Sequence, residues 1–103
     1  MRHMIRHIVK LGHYQAFLDA LVAWNLEAER LGLPAYRIWE SQFGVVQEVF
    51  TEGEFESMEA QSAAFEAAHA DPQFAAANER LSTHLVDGSL VDYVLYEYRS
   101  PSG

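Results

Sequence analysis

The hydrophobic period of the chain changes at Gly12, and this change narrows the available folds more than any single residue does. Before it, Ile5, His7, Val9 and Leu11 alternate with Arg6, Ile8 and Lys10, the period of two expected of a strand. After it, Tyr14, Phe17, Leu18, Leu21, Ala28 and Leu31 recur at the spacing of an amphipathic helix beginning at His13. Leu31-Gly32-Leu33-Pro34 stops that helix, with glycine at the C-cap and proline just beyond. The second half repeats the change. Ala35 to Gln42 and Gly44 to Thr51 are β-rich runs around Phe43-Gly44, which predicts an antiparallel hairpin. The acidic Glu52, Glu54 and Glu56 read as a loop leading to Ser57, an N-cap for an alanine-rich helix to Ala70. Asp71-Pro72 interrupts that helix and starts another, to about His84. Leu90 to Tyr98 is the last strand.

The order β-α-β-β-α-β folds as a split β-α-β unit of the α+β class: a four-stranded antiparallel sheet with its helices on one face. Residues 1–99 make a single domain, and residues 100–103 read as a flexible tail. Helices on one face leave the other uncovered, yet both strand parities are apolar. Ile8 opposes Ile5 and Val9, Ile38 opposes Trp39, and Val94, Tyr96 and Tyr98 oppose Val91, Tyr93 and Leu95. Each bare apolar Å² forfeits roughly 20 cal/mol and invites association. The sequence therefore predicts a homodimer through the sheet face, with the parity that meets the partner left open.

Composition removes several function classes. Seven basic residues against 15 acidic ones give a net charge of −8, which excludes a nucleic-acid binder that tracks phosphates. The absence of cysteine excludes disulfides, thiolate chemistry and cysteine-held zinc or iron–sulfur sites. No uninterrupted apolar segment follows the basic N-terminus, and runs such as Leu21-Val22-Ala23-Trp24 fall far short of the roughly 20 residues of a membrane span. The expectation is a cytoplasmic chain with no membrane partner. Dinucleotide-binding, phosphate-loop, nucleophile-elbow and zinc-protease motifs are all missing.

His7 is the weak candidate for chemistry. It stands mid-strand on an apolar parity, where a neutral imidazole can act as a base beside an aromatic ligand. A cross-sheet hydrogen bond is the plainer role. His3 and His7 lie ~13 Å apart along a strand and do not chelate. No histidine spacing supports a metal site. Trp39, Tyr36 and Tyr96 are candidates to line a ligand pocket, although tyrosine and tryptophan also suit strands and interfaces. Asn25 lies near the apolar stripe of the first helix, where its amide either fixes helix-to-sheet register or meets a ligand.

Four segments together resemble a known group: Lys10-Leu11-Gly12, Trp39-Glu40-Ser41-Gln42-Phe43-Gly44, Phe55-Glu56-Ser57 and Ala70-Asp71-Pro72-Gln73-Phe74. They are similar to the dimeric α/β-barrel superfamily of ferredoxin-like protomers, and within it to NIPSNAP-like and antibiotic-biosynthesis-monooxygenase-like proteins. The resemblance covers essentially the whole chain and implies two protomers packed sheet to sheet. Some such proteins are cofactor-free oxygenases of aromatic phenols, and others degrade haem. The haem-degrading branch has an early asparagine and a tryptophan on the second helix. Here the first strand lacks an asparagine and the second helix lacks a tryptophan, although His69 is present. The resemblance thus implies no cofactor, and a barrel-side cavity near the sheet and first helix for a small aromatic or apolar molecule. Cofactor-independent oxygenation is the chemistry that goes with it. The alternative is a non-catalytic dimerisation module whose sheet interface is filled by side chains.

Overall fold

Seven elements follow one another in the chain: β1 (Arg2–Ile8), α1 (Tyr14–Arg30), β2 (Arg37–Glu40), β3 (Glu48–Glu54), α2 (Met58–His69), α3 (Pro72–Ser82) and β4 (Val91–Leu95). They come from a computed structural model that describes residues 1–99, so the expected tail at 100–103 lies outside the described residues. The strands form one sheet in the order β2-β3-β1-β4, with every neighbouring pair antiparallel. This is the ferredoxin-like α+β arrangement, with its second helix divided in two. Among the described residues no helix is long and apolar enough to cross a membrane.

Local chemistry sets the helix boundaries. Ser57 Oγ accepts from the Ala60 amide, opening α2. Asp71 accepts from the amides of Gln73 and Phe74, each at 3.0 Å, and Pro72 occupies the first turn of α3. Arg30, in the last turn of α1, donates to the same Asp71 carboxylate at 2.7 Å. That bond, helped by the capping amides, holds the Asp71 carboxyl below its usual range. One residue thus starts α3 and ties it to the end of α1.

All four strands depart from the bounds read from periodicity, β2 and β4 being shorter and ending at Glu40 and Leu95. β1 ends at Ile8 instead of Leu11. Beyond it Val9 makes one isolated bridge with Leu85, and the Val9 and Lys10 amides are taken by loop carbonyls of Gln47 and His84. β3 begins at Glu48 rather than Gly44 and continues through the acidic residues that resemble a loop. Their charges are answered across the sheet. Arg2 bonds Glu52 and Glu54 at 3.0 and 2.8 Å, and Arg6 bonds Glu48. Opposite charges on neighbouring strands thereby allow carboxylates where composition alone argues for a loop.

The register fixes which side chains share a face. His3, Ile5 and His7 of β1 face the helices, and with them Val49, Thr51 and Gly53 of β3. Asp92 and Val94 of β4 share that inner face, whereas Val91, Tyr93 and Leu95 lie on the outer one with Met4, Phe50 and Trp39. Beneath the sheet, Phe17, Leu21, Trp24 and Ala28 of α1 pack with Phe74, Ala77 and Leu81 of α3. Gly53 is required by a close approach rather than by its backbone angles. A Cβ there would stand 2.5 Å from Cε1 of the Tyr36 ring. Gly53→Ala is expected to destabilise the protein by about 1–3 kcal/mol through overpacking, read as a lower denaturant midpoint at unchanged slope.

Candidate functional site

A partly open cavity of about 140 Å³ lies between the inner sheet face and helices α1 and α3. Ile5, Leu21, Trp24 and Leu81 supply apolar walls, and Leu90 and Ser82 stand at its exposed side. Its polar groups are few: His7, Thr51, Tyr36 and Asn78, with the Asn78 carbonyl oxygen accepting from Trp24 Nε1 at 3.3 Å. His7 is 3% exposed and its ring lies 5.2 Å from that of Phe17. His7 Nε2 and Thr51 Oγ1 share a hydrogen bond of 3.1 Å. Among the described residues, His7 Nδ1 is the one buried side-chain nitrogen or oxygen without a hydrogen-bond partner. Burial disfavours the charged ring and lowers its pKa from 6.5 to about 4, against a weaker pull from Asp92.

Tyr36 forms another part of the wall, and three features hold it there. The Asn25 amide donates to the Tyr36 carbonyl and accepts from its N–H, both at 2.9 Å, pinning the backbone just before β2. The ring lies over Gly53 and meets Trp24 edge-on, with centroids 5.2 Å apart. Its hydroxyl reaches across β3 to His3 on β1, 2.6 Å from Nδ1, and His3 Nε2 is 2.8 Å from Asp92 Oδ1. A carboxylate only accepts, so Nε2 carries the hydrogen of the neutral ring, and Nδ1 accepts from Tyr36. Burial, then the negative charge of Asp92, pushes the Tyr36 hydroxyl well above its ordinary pKa.

Of the residues singled out from sequence, the structure brings His7 and Tyr36 to one cavity. Asn25 acts on the Tyr36 backbone. Trp39 lies on the opposite face of the sheet, 52% exposed, where its Nε1 donates to Glu52 at 2.9 Å. Tyr96 is exposed beyond the end of β4. Neither lines the cavity, because alternation sends Trp39 outward with Phe50 and the paired strand ends at Leu95. The cavity lies on the helix side of the sheet, its walls completed by α1, α3 and Phe65 of α2. Sequence reasoning passed over His3, Thr51 and Asp92. The alternation itself held the signal for His3, which shares the parity of His7. Among the described residues no group of three or more His, Asp or Glu side chains could hold a metal ion.

No protein-family model matches the chain, and no curated protein matches it either. Solved structures do. A NIPSNAP domain protein from Burkholderia xenovorans superposes with a TM-score of 0.78 at 18% identity, covering 97% of each chain. A NIPSNAP family protein of unknown function from Agrobacterium tumefaciens gives 0.79 at 16% identity, over 97% of this chain and 90% of that one. A putative antibiotic biosynthesis monooxygenase from Nitrosomonas europaea gives 0.68 at 13% identity, over 99% and 92%. At such identities the likeness establishes a shared ferredoxin-like fold, and function must be argued from the site.

Unfolded, His7 takes up its proton near pH 6.5; folded, it does so only near 4. Between these values the unfolded chain holds more protons, so stability falls as the pH is lowered through this window. The expected loss attributable to His7 is roughly 3 kcal/mol, complete near pH 4. Urea titrations at stepped pH should show this slope in the wild type and a shallower one in His7→Gln, which keeps a partner for Thr51 but does not titrate.

Proposed function

We propose that the chain binds a small, neutral, single-ring aromatic or apolar molecule in the cavity beneath its sheet, and that it does so as a homodimer. The observation that carries the reading is His7 Nδ1, buried and unpartnered on a wall that is otherwise largely apolar. Such an atom costs about 1–3 kcal/mol until something bonds to it. A ligand hydroxyl suits it in either tautomer, since a hydroxyl both donates and accepts. Size agrees, because a dry apolar cavity of about 150 Å³ takes up benzene. Charge agrees as well. No lining residue is a lysine, arginine or carboxylate, so a charged molecule would enter without a counter-ion.

Two structures of this fold are described as an antibiotic biosynthesis monooxygenase and a putative one, which favours oxygenation as the reaction class, and the family resemblance implies that it needs no cofactor. The protein's part would be to position the ring and exclude water. The outer sheet face supports the dimer. Trp39, Val91, Tyr93 and Leu95 stand more than a third exposed around the ion pairs of Arg2 and Arg6, an apolar patch that a second copy would cover. A dimerisation module without a ligand would use the same surface and differ only at the cavity.

Phenol and related one-ring molecules are expected to raise the melting temperature of the wild type in a dose-dependent way and that of His7→Ala by clearly less. Equal shifts in both proteins would remove His7 from the site, and no shift in either would favour the ligand-free module. For the assembly, sedimentation should give twice the chain mass. Tyr93→Asp, placing a charge on the outer face, should give a folded monomer or an aggregate. An unchanged dimer would move the interface elsewhere.

A further inference from the structure

We propose that Tyr36, His3 and Asp92 form a proton relay, which takes a proton from a weakly acidic molecule in the cavity and delivers it to the solvent edge of the sheet. The inference rests on the reading of the cavity as a ligand site and adds what that site can do to its ligand. Its two ends lie in different surroundings. Tyr36 is 4% exposed and forms part of the cavity wall, and His3 is 7% exposed. Asp92 stands on β4, the edge strand, with its side chain 54% exposed. The bonds between them are 2.6 and 2.8 Å, the short lengths of hydrogen bonds that pass or share charge.

The packing is arranged around this chain of bonds. A side chain on Gly53 would lift the Tyr36 ring away from the sheet, and without the Asn25 clamp the Tyr36 backbone could shift along β2. Both features place the hydroxyl at His3 Nδ1. The groups that face the relay are Asp92 from β4 and, further along β1, His7, which burial keeps uncharged at neutral pH. Helix α1 meets it with the ring of Trp24 and helix α2 with that of Phe65.

The step balances without any further reactant. The ligand X–H bond breaks and its proton passes to Tyr36 Oη, while the original hydroxyl proton passes to His3 Nδ1. The bonding pair stays on the ligand as an anion, and the new imidazolium is held by the Asp92 carboxylate. The Nε2 proton, shared with Asp92, then stands at the solvent edge and exchanges with water, while the imidazolium remains as the counter-ion of the bound anion. Because the Tyr36 hydroxyl resists ionisation, it hands a proton on rather than standing as a phenolate.

The probe is 4-nitrophenol, whose phenol and phenolate forms absorb at different wavelengths. The pH midpoint of the bound probe is measured in the wild type, Tyr36→Phe and Asp92→Asn. The wild-type midpoint is expected to lie about one pH unit or more below that of Tyr36→Phe, since a nearby opposite charge shifts such an equilibrium by about 1–3 units. Asp92→Asn should raise the midpoint as well, because an amide cannot hold the imidazolium. Each midpoint is read against that protein's own affinity for the neutral probe at low pH, so that a change in binding alone, which a purely structural role for Tyr36 would also give, does not register as a change in ionisation. Equal midpoints in wild type and Tyr36→Phe overturn the relay and leave the cavity reading intact. A midpoint that moves in Tyr36→Phe but not in Asp92→Asn overturns the delivery to solvent. Failure of the wild type to bind overturns both readings. If Tyr36→Phe does not fold, Asp92→Asn, altered at an exposed carboxylate, decides the matter by itself.

Discussion

Tyr36 lies against the backbone of β3 because Gly53 leaves room for it, and much of the interior follows from that approach. With the ring in this position Trp24 meets it edge-on, Phe65 packs against both, and Phe74 closes on Trp24 from α3. The aromatic cluster therefore joins the sheet to all three helices around one side chain. Aromatic packing of this kind fills space well but not completely. Beside this cluster, where His7 and Thr51 stand on the strands, a gap remains as the cavity. The polar hydroxyl at the far end of Tyr36 must also be satisfied, and the only direction left to it is across β3 toward His3.

The two faces of the sheet handle charge in opposite ways. Outside, three glutamates of β3 meet two arginines of β1, so part of the acidic excess is neutralised on a strand pair. Arg6 and Ser41 together hold the Glu48 carboxyl below its usual range, the Ser41 bond being the stronger cause, and Arg2 does the same for Glu54. Inside, the ring of His7 sheds its charge instead, because no carboxylate bonds it and burial opposes protonation. His3 differs from His7 in that both of its ring nitrogens are bonded, one to the Tyr36 hydroxyl and the other to a carboxylate at the exposed strand edge. Two histidines four residues apart on one strand are thus placed in unlike surroundings, one bonded at both ring nitrogens and the other at one.

Much of this was legible in the sequence, for reasons that particular residues make plain. The change of period at Gly12, the Ser57 cap and the Asp71-Pro72 junction are local signals, and local signals gave the element order and the divided second helix. Alternation also put His7 on the parity of Ile5 and Val9, while which parity faces the helices stayed open because both are apolar. What the sequence did not disclose depends on partners distant along the chain. Glu52 and Glu54 look like loop residues until Arg2, some fifty positions earlier, is laid beside them. Asn25 shows its role only when the chain returns eleven residues later to offer both backbone groups of Tyr36. Asp92 is an unremarkable strand carboxylate until β4 pairs with β1. The side of the sheet that holds the cavity was equally hidden, since it depends on how far α1 and α3 stand from the strands.

A shared backbone at 13–18% identity means that the sheet, the register and the helix cover can be kept while nearly every side chain changes. The fold supplies a wedge between sheet and helices, and the inward residues of β1, β3 and β4 decide what the wedge contains. In this chain those positions hold His3, His7, Thr51, Gly53 and Asp92 among otherwise apolar neighbours. For a sheet packed on helices, His3, His7 and Thr51 each remove apolar burial from the core, where valine or isoleucine would be the plainer filling, while Gly53 is required by the Tyr36 ring. His7 and Thr51 bond each other and line the cavity, whereas Tyr36, His3 and Asp92 form a second bonded group beside it, so the polar side chains of this face are linked in two sets rather than scattered.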